Sequence, residues 1–331
     1  MRLLVLGGTG FVGRHIVEAA LDRGHDVTVF NRGRTNPGLF AAVEHLAGDR
    51  DAGDLAALDS GEWDAVVDVS AYVPRHVRQA AEHLTGRVGH YTLISTVSVY
   101  APRREPIDES SPVLRLDDPT VETMTAESYG PLKVACEQAA EAAFPEATTV
   151  VRPGLVAGPE DPTDRFTYWV RRVALGAGAL VGPARVDQPV QVVHARDQGD
   201  FVVAVTEARR AGVFNSTGPT EPLTFAGLVA ACAEAAGVDV PEVVWVDDDF
   251  SRAHRLALPL ALPQDGSYDG LFRASNEAAR AAGLLNRPIV ATARHTLEWD
   301  ATRDRAVPMA AGPTPEREAE LVQSWRDAGR A

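Results

Sequence analysis

The tightest constraint on this chain is Gly7-Gly8-Thr9-Gly10-Phe11-Val12-Gly13, which follows the apolar run Leu3 to Leu6 and opens a stretch, Phe11 to Leu21, with helical spacing. Glycines three apart between a strand and a helix let a phosphate approach the backbone closely, with amide N–H groups and the helix N-terminus facing it. Without a ligand the same pattern makes only a tight turn. Gly24 stops the helix and Val27 to Phe30 reads as a second strand, which completes a βαβ unit.

The alternation continues. Strands are expected at Val43 to Leu46, Ala65 to Val69, Tyr91 to Ile94 and Thr149 to Arg152, with helices at Pro74 to Leu84 and from about Ser128 to Phe144. Strands alternating with helices imply a parallel sheet. Residues 101–125 are irregular and rich in Pro, Asp and Ser. Beyond Arg152 the pattern loosens into a turn-rich Gly158 to Asp164, a helical Phe166 to Leu175 and a strand Gln191 to Val193. After Thr224 the chain is mostly helical, with one strand Glu242 to Val246, an alanine-rich helix after Ser275, and a last helix that Thr314 caps and Pro315 opens. The expected architecture is α/β: a doubly wound parallel sheet with a smaller, mostly helical C-terminal substrate lobe. Residues 1–160, completed by about 190–217 with strands near Gln191 and Val213, form the dinucleotide domain; 161–189 and 218–331 form the lobe.

A dinucleotide would lay its pyrophosphate on Gly7, Thr9, Gly10, Phe11, Val12 and Gly13. The second strand ends Val29-Phe30-Asn31-Arg32-Gly33-Arg34, without the carboxylate that would accept the 2′-hydroxyl of NAD. Two guanidiniums there can fork onto a 2′-phosphate, which favours NADP(H), with Arg32 ahead of Arg34 and Asn31 beside them; NAD(H) is the alternative. Those arginines could equally be solvated loop charges. Asp49 can accept from the adenine amino group or cap a helix.

Of 32 cationic Lys and Arg side chains, a single one is lysine, Lys133, and Tyr129 lies four residues before it. With six tyrosines in 331 positions, chance gives that spacing about one time in fifty-five. Both side chains share a helix face, where an ammonium would lower the phenol pKa and make it a usable proton donor and acceptor. A guanidinium fork fits less well beside a phenol and a ribose hydroxyl. The bland reading is a surface tyrosine and a solvated lysine. Ser95-Thr96-Val97-Ser98-Val99-Tyr100 follows a sheet strand, where ligands collect, although such hydroxyls often serve local backbone.

Composition narrows the partners. A net charge of −14 disfavours nucleic acid and anionic membrane, and no apolar run approaches the roughly 20 residues of a membrane span. Two distant cysteines, no signal-like start and nine histidines without metal-ligand spacing point to a cytoplasmic chain that holds no metal. A small-molecule substrate is the expected partner, and a homodimer is compatible with the sequence.

Together these motifs resemble the extended short-chain dehydrogenase/reductase family, also called the NAD-dependent epimerase/dehydratase family, over most of the chain. The resemblance implies a Rossmann fold, with Thr96, from Ser-Ser/Thr-x-x-Val-Tyr, and Tyr129 and Lys133, from Tyr-x-x-x-Lys, as catalytic residues. Val97-Ser98 stands where dehydratases carry Asp-Glu, which disfavours dehydration. Arg152-Pro153-Gly154-Leu155-Val156 lacks the asparagine usual in sugar-nucleotide enzymes and tilts the reading towards carbonyl reduction or alcohol oxidation. An epimerase of a sugar-like substrate would use the same three residues, and a non-catalytic dinucleotide sensor or RNA-binding relative is a further alternative. Ser98, Arg165, Tyr168 and Trp169 are candidate substrate contacts.

Overall fold

The structure, a computed structural model, describes residues 1–176 and 178–329; Ala177, Arg330 and Ala331, all in the expected substrate lobe, lie outside the described residues. The first apolar runs become the centre of a seven-stranded sheet. β1 (Arg2–Leu6), β2 (Asp26–Asn31), β3 (Glu44–Ala47), β4 (Ala65–Asp68), β5 (Tyr91–Ile94) and β6 (Thr148–Pro153) are joined by the strand Gly212–Ser216. Their order is Gly212–Ser216, β6, β5, β4, β1, β2, β3, and every neighbouring pair is parallel. Leu3, Leu4, Val5 and Leu6 are fully buried, because a strand covered on both faces reads as a continuous apolar run rather than an alternating one.

Helices supply both covers. α1 (Phe11–Asp22) and the helix Ala195–Glu207 bring Ile16, Val17, Phe201 and Val205 onto one face, while α2 (Pro74–Leu84) and α3 (Tyr129–Ala143) bring Val77, Ala81, Cys136 and Ala140 onto the other. This is a doubly wound Rossmann sheet. The chain runs outward from β1 through β2 to β3, then resumes on the other side of β1 with β4, so a crevice opens above the carboxyl ends of β1 and β4.

One expected strand belongs elsewhere. The sequence pattern places the segment near Gln191 in the main sheet, but Val192–His194 pairs with Leu155–Ala157 in a separate two-stranded ribbon. Pro153 has no amide hydrogen to extend β6, and the chain leaves the sheet at Gly154 before the ribbon begins.

A second apolar centre gathers Trp169, Phe225, Leu228, Val229 and Ala293 from the helices Thr167–Ala174, Phe225–Ala236 and Ile289–Asp300, with the Trp169 and Phe225 rings edge to face at 4.7 Å. The last helix, Pro315–Asp327, starts where Thr314 accepts from the Arg317 amide at 3.3 Å. It inserts Glu318, fully buried, which pairs with Arg172, accepts from the Val181 amide at 2.9 Å and from the Tyr168 phenol at 3.3 Å. Removing one partner of a buried pair leaves the other charge without its counterion. Glu318→Ala is therefore expected to lower unfolding free energy by about 3–5 kcal/mol, read as a shifted urea midpoint; a shift within the noise of a surface substitution would contradict this anchoring.

Candidate active site

A cavity of about 1010 Å³ opens over the carboxyl ends of the central strands, and it is lined by the glycine turn at one end and by Thr96, Tyr129 and Lys133 at the other. All seven residues from Gly7 to Gly13 reach it. A Cβ on Gly13 would stand 2.8 Å from the Gly8 amide nitrogen, so the turn itself demands glycine there. Gly10 differs: a Cβ on it would meet no protein atom within 4 Å. Gly10 is also the N-cap of α1 with no side chain capping the helix, so free amides and the positive end of the helix dipole face open space. The residues present fit a pyrophosphate.

Asn31, Arg32, Arg34 and Asp49 also line the cavity. The Asn31 side chain braces the turn, donating to the Gly7 carbonyl at 2.8 Å and accepting from the Gly33 amide at 2.7 Å and the His45 ring at 2.9 Å. Arg32 is half exposed, with one nitrogen 3.4 Å from Asp51 Oδ2. Asp49 caps a turn rather than a helix: its Oδ1 accepts from the Asp51 amide at 3.0 Å, and its backbone exchanges two 2.9 Å bonds with Asp54. Beneath them lies a pair that the sequence did not advertise. Arg50 binds the fully buried Asp68 through two nitrogens at 2.6 and 2.7 Å, and the Tyr91 phenol donates to the same carboxylate at 2.6 Å. The guanidinium holds the Asp68 carboxyl below the usual carboxylate range against the opposing penalty of burial.

The other end is assembled by close backbone approach. Thr96 follows β5 and starts a short turn over Val97–Val99, where its Oγ1 accepts from the Ser98 amide at 3.1 Å. The first turn of α3 lies against this segment so tightly that a methyl group on Gly130 would overlap the Ser98 carbonyl oxygen. That contact puts the preceding residue, Tyr129, on the cavity wall beside Thr96, whose hydroxyl favours the phenolate. Ser95 points the other way, into a buried network with Glu137, which binds Arg152 at 2.6 and 2.9 Å.

Lys133 is 3% exposed, and its Nζ donates to the carbonyls of Ala71 and Ile94, both at 2.7 Å. Burial pulls its pKa below the usual lysine value. The expectation that this ammonium lowers the Tyr129 pKa needs correcting. Two of its three donors are committed to carbonyls, and burial raises the Tyr129 phenol above its ordinary value, opposed by the Thr96 hydroxyl and the charge of Arg165. The pair shares a helix face, but Lys133 acts on the free protein as a strut.

Among the candidate substrate contacts, Ser98 and Arg165 line the cavity, whereas Tyr168 and Trp169 do not. Tyr168 is bonded to Glu318, and the Trp169 indole donates to the Pro259 carbonyl at 3.0 Å, so both are core residues of the C-terminal cluster. The helix that starts at Thr167 turns its apolar face inward and leaves only the preceding loop at the cavity. Sequence reasoning also missed Tyr72, whose ring centroid is 5.9 Å from Lys133 Nζ, and Leu260, Ala261, Leu271 and Phe272, which close the cavity from the C-terminal half. Tyr72 follows a strand end and could have been suspected; the other four carry no motif.

Residues 3–216 match the NAD dependent epimerase/dehydratase family. The chain belongs to that family. Membership makes it an enzyme that works with a nicotinamide dinucleotide. It is 25% identical over 276 residues to the chloroplast stem-loop binding protein of 41 kDa b of Arabidopsis thaliana, covering 78% of this chain and 69% of that protein. It is 27% identical over 249 residues to dTDP-4-dehydrorhamnose reductase of Mycobacterium tuberculosis, covering 73% of this chain and 78% of that enzyme. Its fold matches the UDP-glucose 4-epimerase of Thermus thermophilus, solved with NAD, at a TM-score of 0.65 and 21% identity, covering 92% of this chain and all of that one. No helix among the described residues is long and apolar enough to cross a membrane.

The raised phenol gives a direct prediction for this family member. Desolvation disfavours the phenolate, so the ultraviolet difference between wild type and Tyr129→Phe, recorded without cofactor, should develop only at a pH above the range in which a free phenol ionises. A component of that difference titrating near neutrality would show that Lys133 acidifies the phenol after all.

Proposed function

We propose that this chain is an NADP(H)-dependent oxidoreductase that reduces a carbonyl, or oxidises the matching alcohol, of a small-molecule metabolite, with Tyr129 as the acid/base. The observation that carries the reading is that Thr96, Tyr129 and Lys133 together line the same cavity that the glycine turn opens. Bound nicotinamide supplies or accepts the hydride. The protein's part is to hold the proton and the oxygen. In reduction Tyr129 Oη gives its proton to the carbonyl oxygen while the Thr96 hydroxyl donates to the same oxygen; in oxidation both steps reverse. Lys133 keeps one donor beyond its two carbonyl bonds, and a ribose hydroxyl is the acceptor it suits. Negative charge developing on the substrate oxygen is stabilised by these donors and by the nearby Arg165 guanidinium.

Arg32 and Arg34 border the cavity beyond the end of β2 with no acidic residue between them, which supports NADP(H) over NAD(H). An epimerase would use the same three residues but return the hydride to the substrate, and Val97-Ser98 offers no additional acid for dehydration. A net charge of −14 argues against an RNA partner like that named for the Arabidopsis relative. Two buried, unpaired cysteines fit a reducing, cytoplasmic setting.

Two variants test this reading. Tyr129→Phe should still quench with NADPH yet turn over carbonyl substrates about 100- to 10,000-fold more slowly; full activity would end the mechanism. Arg32→Ala should weaken NADPH about ten- to a hundredfold relative to NADH, measured by fluorescence titration, and an unchanged preference would reject the cofactor assignment.

A further inference from the structure

The loop between Gly158 and Thr167 carries two aspartates with opposite fates. Asp164 is fully used: Arg303 binds its carboxylate at 2.6 and 3.2 Å, and the Ala310 amide donates to it at 2.9 Å. This ties the loop to the C-terminal segment. Asp161 lines the active-site cavity, is 1% exposed, and has only one oxygen partnered. Its Oδ1 accepts from the Thr163 amide at 2.9 Å and the Thr163 hydroxyl at 2.7 Å, while Oδ2 is buried with no hydrogen-bond donor. A buried carboxylate oxygen without a donor is costly, and among the unpartnered buried oxygens of the described residues Asp161 Oδ2 belongs to a residue that lines the cavity.

The position along the cavity is also fixed. Burial raises the pKa of both the Asp161 carboxyl and the Tyr129 phenol, and Arg165, whose Nε donates to the Thr163 hydroxyl at 3.1 Å, lies close enough to oppose that rise in each. Asp161 therefore lies in the stretch of wall between the start of α1, which Pro159 and Glu160 touch through His15 and Arg14, and Tyr129, where the reacting molecule goes. An ionised carboxylate can only accept, so the missing partner is a donor, and a neutral hydroxyl adds no charge to a wall that already holds Arg165. We propose that Asp161 is a specificity-determining residue whose Oδ2 accepts a hydrogen bond from a substrate hydroxyl, so that the site selects hydroxylated carbonyl compounds over their deoxy counterparts. This rests on the oxidoreductase reading for what happens at the carbonyl but not for the hydroxyl contact itself.

The test compares hydroxyacetone with acetone and erythrulose with butanone, as binding to the protein loaded with NADP⁺ by saturation-transfer NMR and as turnover with NADPH. In the wild type at least one hydroxylated probe should bind about ten- to a hundredfold tighter than its parent. Asp161→Asn keeps an oxygen for Thr163 and replaces the lone acceptor by an amide donor, and it should abolish that ratio while the unfolding midpoint is held. Equal ratios in the two proteins, or no preference in the wild type, would overturn the proposal. Selective, Asp161-dependent binding without turnover of any probe would leave Asp161 in place and bring down the oxidoreductase reading alone.

Discussion

Two hydrogen bonds from one ammonium hold the Tyr129 end of the cavity together. Lys133 Nζ reaches the carbonyl of Ala71, in the loop after β4, and that of Ile94, the last residue of β5, and so ties α3 to the edge of the crevice between two strands. The chain uses arginine almost everywhere else, and where Arg50, Arg152 and Arg172 are buried each grips a carboxylate. A planar fork matches two carboxylate oxygens; two carbonyls on different loops need a compact, rotatable donor, which is why a single lysine survives in an arginine-rich composition. With α3 fixed at Lys133 and pressed onto Ser98 through Gly130, Tyr129 has one place to go, and it is beside Thr96.

The parts of this arrangement that are periodic or local were legible in the sequence. The glycine turn, the apolar strands and the Tyr129–Lys133 spacing each depend on neighbours within a turn or two, so their pattern survives in one dimension. What escaped depends on distant partners. The segment near Gln191 has a strand's composition, but Pro153 and Gly154 send its partner out of the main sheet. Tyr168 and Trp169 look like ligand-facing aromatics until Glu318 and Pro259, 150 and 90 residues away, claim their polar atoms. The raised phenol at Tyr129 was hidden for the same reason, since nothing in Tyr-x-x-x-Lys says that two of the three ammonium donors are committed to Ala71 and Ile94.

The cavity divides its chemistry along its length. Near the glycine turn it offers amides, a helix N-terminus and the Arg32 and Arg34 side chains, all suited to phosphate. At the other end it offers hydroxyls and a largely buried phenol whose proton is held firmly until something stabilises the anion. Family membership explains why both ends occur on one chain. The local residues in which this chain is particular are Val97-Ser98, in place of an acid pair, and Asp161 at the cavity wall.

The central claim is that a nicotinamide dinucleotide joins the two ends, and a crystal structure of the protein with NADPH tests it most directly. The account predicts pyrophosphate on the amides of Phe11 and Val12 over Gly10, the 2′-phosphate beside Arg32, and a ribose hydroxyl on the remaining donor of Lys133 with the nicotinamide facing Tyr129. A cofactor bound outside this cavity, or one whose nicotinamide turns away from Tyr129, would contradict it.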